Sequence, residues 1–113
     1  RWVMEIDKYQ ALSTRFMNPD LTHDEKIYNM CLGLSGEVGE VNDAIKKAKF
    51  QGHDLDYKNL HEELGDVMWY LSNLASILGF KMDDILEANY RKLSRRYPMG
   101  FTVNDSKLRR DKM

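Results

Sequence analysis

Apolar residues recur at spacings of three and four along most of this 113-residue chain, the periodicity typical of amphipathic helices. The pattern predicts a first helix over residues 2–16, ended by the turn signal Asn18-Pro19-Asp20. Thr22 and Glu25 have the spacing of a capping box, so a second helix is predicted to begin directly after Thr22. Its apolar seam is predicted to consist of Ile27, Cys31, Leu34, Val38, Val41, Ile45 and Ala48.

Residues 50–54 form the next connection, with Gly52 as a helix breaker and Asp54 or Asp56 as the cap of a third helix. That helix is predicted to run to about Leu78, where Gly79 has the usual C-terminal place. Its predicted seam consists of Leu60, Leu64, Val67, Leu71, Leu74 and Leu78. A fourth helix is predicted over residues 82–96, because Pro98 disfavours helical geometry at the residue before it.

These elements predict one all-α domain over residues 1–101, followed by a basic tail over residues 102–113 that is extended or loosely ordered. Because the connection between the second and third helices is short, they are predicted to be antiparallel neighbours. Hydrophobic residues make up 42% of the chain and charged residues 31%, which is typical of an ordered helical protein rather than a disordered one.

The net charge of −1 gives no reason to expect nucleic acid or an anionic membrane as a partner. No apolar run approaches the roughly 18 residues that span a bilayer, and the sequence has no secretory pattern at its start. We therefore expect a cytoplasmic protein. The single cysteine, Cys31, excludes an internal disulfide and is expected to be a small buried hydrophobic residue.

Two pairs of carboxylates carry the most specific chemistry in the sequence. Glu37 and Glu40 lie three residues apart in the second helix, and Glu63 and Asp66 repeat this spacing in the third. Each acid lies one residue before a seam position, so the pairs flank their seams on the same side. Both pairs also lie roughly a dozen residues, or about 18 Å, from the Gly52 turn. The spacing therefore predicts that four carboxylates meet at the middle of the helices.

Four carboxylates at a packed seam repel one another and need a neutralising group. A ligand set made only of oxygen suits Mg²⁺ or Mn²⁺ rather than zinc. The alternative is that these are solvated glutamates that pair with Lys46, Lys47 or Lys49 at the surface. Gly36 and Gly39 favour the first interpretation, because each costs about 1 kcal/mol relative to alanine inside a helix. Close approach of another backbone or of a ligand is a candidate reason for them.

Each acid pair can be extended along its helix face in steps of three or four residues; we call this face the acid stripe. The acid stripe continues to Lys47 on the second helix and to Tyr70 and Asn73 on the third. A cation and an aromatic ring beside a metal site are what a nucleotide would use, for phosphate charge and for base stacking. The ordinary alternative for Tyr70 is packing in the core or at an interface. On the fourth helix, one face is shared by Asn89, Lys92 and Arg96. This face is interpreted either as a set of phosphate ligands or as a solvated basic surface.

These motifs resemble those of MazG-like nucleoside triphosphate pyrophosphohydrolases over residues 9–101. The resemblance rests on residues 32–41 (LGLSGEVGEV), 45–47 (IKK), 62–71 (EELGDVMWYL), 89–93 (NYRKL) and 96–101 (RYPMGF). It implies a four-helix bundle with an antiparallel central pair, completed by assembly into a homodimer or a homotetramer. The implied reaction is hydrolysis of a (deoxy)nucleoside triphosphate to the monophosphate and pyrophosphate.

The resemblance also implies roles for individual residues. The implied Mg²⁺ ligands are Glu37, Glu40, Glu63 and Asp66, and Mn²⁺ can substitute for Mg²⁺. The implied phosphate ligands are Lys47, Asn89, Lys92 and Arg96, and Tyr70 is a candidate contact for the base or sugar. Gln10 resembles part of the family's Tyr-Gln opening and is a candidate nucleotide contact. Either Glu37 or Glu40 is expected to accept the proton of the attacking water.

Two other interpretations remain open from the sequence. The same fold and acidic site occur in phosphoribosyl-ATP pyrophosphohydrolases and in dimeric triphosphatases specific for dUTP or dCTP. A helical interaction module whose acids only increase solubility is the non-enzymatic alternative. Binding of a nucleotide that depends on Mg²⁺ distinguishes the enzymes from such a module.

Overall fold

A computed structural model describes residues 3–112, and in that range the chain folds into five α-helices and two short 3₁₀ helices without a strand. The α-helices are α1 (Ile6–Ser13), α2 (His23–Phe50), α3 (Tyr57–Ile77), α4 (Met82–Arg96) and α5 (Val103–Leu108). The 3₁₀ helices are Thr14–Phe16, directly after α1, and Arg110–Lys112, near the C-terminus. Trp2, which the predicted first helix includes, lies outside the described residues.

Local signals in the sequence fix most of the helix ends. At the start of α2 the backbone N–H of Glu25 donates to Thr22 Oγ1 over 3.2 Å, and Glu25 Oε1 accepts from the backbone N–H of Thr22 over 2.9 Å, so the capping box is confirmed. Asp56 is the cap of α3, since its carboxylate accepts the backbone N–H of Asn59 over 3.1 Å.

Gly79 ends α3 in the left-handed region at φ +81°, where a residue with a side chain is strained. The N–H of Phe80 donates to the carbonyl of Ala75 over 2.8 Å, which completes a Schellman turn. The bounds of α4 agree with the prediction. The first helix is shorter than predicted, because the chain is not helical at residues 3–5 and tightens into a 3₁₀ turn at residues 14–16.

Helices α2 and α3 form an antiparallel hairpin that is the main packing unit of the chain. At the end far from the connecting loop, His23 Nε2 lies 3.3 Å from the carbonyl oxygen of Ile77. Helix α1 packs on α3, where Trp69 Nε1 donates to the carbonyl of Ser13 over 3.1 Å. Helix α4 packs against α1 and against the C-terminal segment. The hairpin is therefore the central unit, α1 covers part of α3, and α4 is joined to the hairpin mainly through α1.

The predicted apolar seam does not form the centre of the hairpin. Six of its thirteen residues are exposed in this chain: Cys31, Val38 and Ile45 on α2, and Leu64, Leu71 and Leu78 on α3. Next to the exposed positions of α2, the preceding residues Met30, Glu37 and Ala44 are more buried, and the seam residues Ile27, Leu34, Val41 and Ala48 are half-buried. Cys31 is thus exposed and not buried as expected. One hairpin cannot bury so broad an apolar stripe, so the stripe is divided between the hairpin contact and an open face.

The overall dimensions agree with this open face. The radius of gyration is 17.5 Å, whereas a compact domain of 100 residues has about 13 Å. Within residues 3–112, no helix is both long enough and apolar enough to cross a membrane.

The basic tail is ordered, which corrects the expectation of an extended arm. Thr102 Oγ1 accepts the backbone N–H of Asp105 over 3.0 Å and caps α5. The following 3₁₀ helix returns to α4, where Asp111 meets Arg96. The segment after residue 101 is therefore a small helical extension that packs against α4.

Candidate metal centre

Three carboxylates from the two long helices converge inside the hairpin. One oxygen each from Glu37, Glu63 and Asp66 lies within 4.8 Å of the others. The fourth predicted acid, Glu40, lies one turn along α2 from Glu37 and lines the same cleft as Glu63. The structure thus brings together three of the four acids that the spacing of the sequence predicts, with Glu40 beside them. Their role as metal ligands stays a prediction.

The acids meet because the antiparallel packing places the turns of α2 that carry acids opposite the turns of α3 that carry acids. Because the helices run in opposite directions, Glu37 of α2 lies opposite Asp66 of α3, and Glu40 lies opposite Glu63. The carboxylates therefore form two adjacent layers. One acid of each pair, Glu37 on α2 and Glu63 on α3, is half-buried, whereas Glu40 and Asp66 are exposed. The packing of this hairpin therefore holds the carboxylates together.

The crowding of negative charge changes the pKa values of two acids in the cluster. The pKa of Glu40 is raised, first by its hydrogen bond with Glu63 and then by the negative charge of that residue. The pKa of Glu63 is raised as well, chiefly by a hydrogen bond with Glu37. Both shifts show that the cluster favours a bound proton or another positive charge over four free carboxylates.

The donor atoms fit a divalent cation that prefers oxygen. Glu37 Oε2 and Glu63 Oε2 are buried and have no hydrogen-bond partner among the described residues. A buried carboxylate oxygen without a partner is costly unless a cation or a proton satisfies it. Together with the 4.8 Å grouping, these two oxygens make the cluster a suitable site for a metal ion.

A polar cleft of about 330 Å³ opens beside the cluster at the loop end of the hairpin. Glu40 and Glu63 form one wall, and Lys47 lies in the same cleft, where its Nζ is 2.9 Å from Asp43. Lys47 therefore lies in the cleft beside the acids, and its role as a phosphate ligand stays a prediction. The remaining lining residues, which sequence reasoning did not assign to a site, are Asp43, Ala44, His53, Asp54, Asp56 and Asn59.

Tyr9 of α1 is a further titratable residue that is influenced by the cluster. Burial raises the pKa of its phenol, and the negative charge of Asp66 raises it further. The sequence of α1 alone does not predict this influence, because it depends on how α1 packs against α3.

The two other predicted residues of the α3 stripe have different environments. The ring of Tyr70 packs against Gly33 of α2, and its centroid lies 5.0 Å from that of Trp69 in an edge-to-face arrangement. The side chain of Asn73 is completely buried at 0% exposure, and its Nδ2 donates to the carbonyl of Trp69 over 3.0 Å. Asn73 therefore lies in the packed interior of the hairpin, and this placement gives no support to the predicted contact of Asn73 with substrate.

Gln10 links three elements, and the pocket that it lines is separate from the cleft beside the acids. Its Nε2 donates to Ser76 Oγ over 3.0 Å and to the carbonyl of Phe80 over 2.8 Å. Its Oε1 accepts the backbone N–H of Met82 over 2.7 Å, at the start of α4. The amide thus ties α1 to the turn between α3 and α4, and a nucleotide contact by Gln10 has no support from these hydrogen bonds.

The predicted residues of α4 are not part of the cleft in a single chain. Among the residues that the structure describes, none from α4 lines the cleft. Asn89 is exposed and Lys92 is half-buried. Arg96 forms a two-point ion pair with Asp111, with Nε–Oδ1 at 2.8 Å and Nη2–Oδ2 at 2.9 Å. This corrects the placement of Arg96, which the sequence suggested as a free phosphate ligand.

Comparison with known proteins agrees with the acidic geometry. A family model described as the MazG nucleotide pyrophosphohydrolase domain matches residues 26–101, which include both acidic pairs and α4. The chain is also 32% identical over 105 residues to the Gene 37 protein of Mycobacterium phage L5, covering 86% of this chain and 92% of that protein. No solved structure matches. The matched family region begins after α1 and ends before α5.

Proposed function

The chain belongs to the MazG nucleotide pyrophosphohydrolase family, and from this we propose that it hydrolyses a nucleoside or deoxynucleoside triphosphate to the monophosphate and pyrophosphate with Mg²⁺. The observation that carries the proposal is the convergence of Glu37, Glu63 and Asp66 within 4.8 Å, inside the matched region. Two buried oxygens of this cluster have no partner among the described residues, which is what a cation site needs.

In this proposal Glu37, Glu40, Glu63 and Asp66 hold Mg²⁺, and Mn²⁺ substitutes for it. When bound, the metal supplies neutralisation of phosphate oxygens and a lowered pKa of the attacking water. Glu37 or Glu40 accepts the proton of that water.

The proposed contacts with the substrate are made by residues that lie beside the acidic cluster. Lys47 lies in the polar cleft with Glu40 and Glu63, where its charge would balance the phosphate chain. Tyr70, one turn from Asp66 on α3, is the proposed contact for the base or sugar. Arg96 is left out of the proposed phosphate ligands, since its guanidinium is held by Asp111.

A second copy of the chain completes the site in this proposal. Apolar side chains on the outer faces of α2, α3 and α4 are exposed, among them Leu64 at 59% and Leu71 at 37%. A homodimer or a homotetramer would bury this surface. It would also allow Asn89 and Lys92 to reach a cleft that no α4 residue of the same chain lines in the described structure. Because its proposed substrates are cytoplasmic metabolites, we place the enzyme in the cytoplasm.

Product analysis tests the proposal. The purified chain is incubated with each common ribo- and deoxyribonucleoside triphosphate in Mg²⁺, in Mn²⁺ or in EDTA, and the products are separated by ion exchange. We expect monophosphate and pyrophosphate in equal amounts with either metal, and none in EDTA. Formation of diphosphate and phosphate, or turnover that survives EDTA, would contradict it.

A further inference from the structure

Gly33 is the helical glycine at which another side chain fills the place of its missing Cβ. A Cβ built there would lie 2.0 Å from Cε1, 2.4 Å from Cζ and 2.5 Å from Cδ1 of Tyr70. By contrast, a Cβ at Gly36, Gly39 or Gly65 meets no atom within 4 Å. The close approach that the sequence suggested for Gly36 and Gly39 is therefore found within this chain at Gly33, one turn earlier in α2.

The position of this contact connects it to the acidic cluster. Glu37 follows Gly33 by one turn of α2, and Asp66 precedes Tyr70 by one turn of α3. Since the helices are antiparallel, the Gly33–Tyr70 contact forms the layer next to the Glu37–Asp66 layer. On its other side lies a layer of completely buried side chains, Met30 at 1% and Asn73 at 0% exposure.

The ring of Tyr70 has little freedom to move away. Trp69 packs edge-to-face against it with an interplanar angle of 82°. The indole of Trp69 is itself fixed, because its Nε1 donates to the carbonyl of Ser13 in α1. A methyl group at position 33 would therefore be accommodated by separating α2 from α3 rather than by turning the ring.

We infer that Gly33 is a positioning residue for the acidic cluster, and this inference rests on the metal site proposed above. By accepting the Tyr70 ring, Gly33 sets the distance between α2 and α3 one turn from the carboxylates. Mg²⁺ and Mn²⁺ sites depend on this distance, because Mg²⁺ requires ligand oxygens at about 2.0–2.1 Å in near-octahedral geometry. A shift of one helix relative to the other would remove Glu37 from the reach of a cation held by Glu63 and Asp66.

The test measures Mn²⁺ binding to the full chain without nucleotide, from the paramagnetic resonance signal of free Mn²⁺. This separates metal binding from any contact between Tyr70 and substrate. Gly33→Ala is expected to weaken Mn²⁺ binding by about tenfold or more, as losses in the supporting shell of a metal site do. Gly65→Ala is the matched control, since it adds the same methyl group next to Asp66 but in open space. Its Mn²⁺ affinity is expected to stay close to that of the wild type.

Rescue distinguishes positioning from general damage. In the double variant Gly33→Ala/Tyr70→Ala the added methyl group has space, so its Mn²⁺ affinity is expected to match that of Tyr70→Ala alone. If Gly33→Ala does not fold by circular dichroism, the double variant must still fold and bind Mn²⁺ as Tyr70→Ala does. Equal affinity of Gly33→Ala and the wild type, or failure of the rescue, overturns the inference alone. A wild-type chain that does not bind Mn²⁺ overturns the proposed metal site as well.

Discussion

Arg96 and Asp111 form a two-point ion pair between the last turn of α4 and the C-terminal 3₁₀ helix, with both contacts shorter than 3 Å. The Asp111 side chain has 0% exposure and that of Arg96 only 16%. Arg109 Nε lies 3.8 Å from the same carboxylate and adds to the positive charge around it. The pair therefore anchors a segment that follows the region shared with the family.

Replacing Asp111 with asparagine is expected to release this segment. Arg96 then loses its charged partner in a half-buried place, so we expect a lower Tm and faster proteolysis after residue 101. Circular dichroism and limited trypsin digestion measure both effects. Asp20→Asn, which changes an exposed loop carboxylate, is the control and should leave both unchanged. A Tm equal to that of the wild type for Asp111→Asn would mean that the ion pair does not anchor the segment.

The same ion pair has a defined pH dependence. The Arg96 guanidinium, chiefly through its hydrogen bonds, holds the pKa of the Asp111 carboxyl well below its usual range. A depressed pKa in the folded chain stabilises it fully above the unfolded pKa of about 3.9, and this contribution is lost as the pH falls toward the folded pKa. The Tm difference between the wild type and Asp111→Asn is therefore expected to shrink between about pH 7 and about pH 3. An unchanged difference over this range would exclude the ionised carboxylate as its source.

Gln10 is expected to act in stability. Gln10→Ala removes an amide that bonds to Ser76, Phe80 and Met82, which should lower the free energy of unfolding by about 1–3 kcal/mol. Urea unfolding measures this loss. Gln51→Ala, at the exposed end of α2, should stay within about 0.5 kcal/mol of the wild type. A stable Gln10→Ala chain with a raised KM would instead support the nucleotide contact that the sequence suggested.

Lys47 is expected to contribute to binding of the triphosphate but not of the metal. Removing one charged hydrogen-bond donor from the phosphate chain should weaken binding of a non-hydrolysable triphosphate by about tenfold or more. Calorimetry with Mg²⁺ compares Lys47→Ala with Lys49→Ala, a control on the same last turn of α2. Mn²⁺ binding without nucleotide should be similar in both variants. Equal nucleotide affinity in the two variants would remove Lys47 from the proposed site.

Sequence reasoning succeeded where the determining interactions are local. The capping box of Thr22 and Glu25, the left-handed turn at Gly79 and the bounds of α4 depend on residues a few positions apart. The convergence of the acids also followed from spacing, since antiparallel register and helical rise determine which turns face each other.

Other features could not be derived because they depend on packing between distant segments. The apolar seam was assigned to the contact between α2 and α3, but its width exceeds what one hairpin buries, so Leu64 and Leu71 are exposed. The tail was expected to be loose because its composition is polar. In the structure, the ion pair between Arg96 and Asp111, which are 15 residues apart in the sequence, holds the tail against α4. The burial of Asn73 likewise depends on how the helices around α3 pack.

The central claim is that the four clustered carboxylates support Mg²⁺-dependent release of pyrophosphate. The most direct measurement compares pyrophosphate release by the wild type, Glu40→Ala, Asp66→Ala and the control Glu62→Ala, whose exposed carboxylate adjoins the cluster on α3. We expect the two cluster variants to keep their helical circular dichroism and to lose more than about 100-fold of the activity, while Glu62→Ala stays near the wild type. Near-normal release of pyrophosphate by Glu40→Ala or Asp66→Ala would contradict the account.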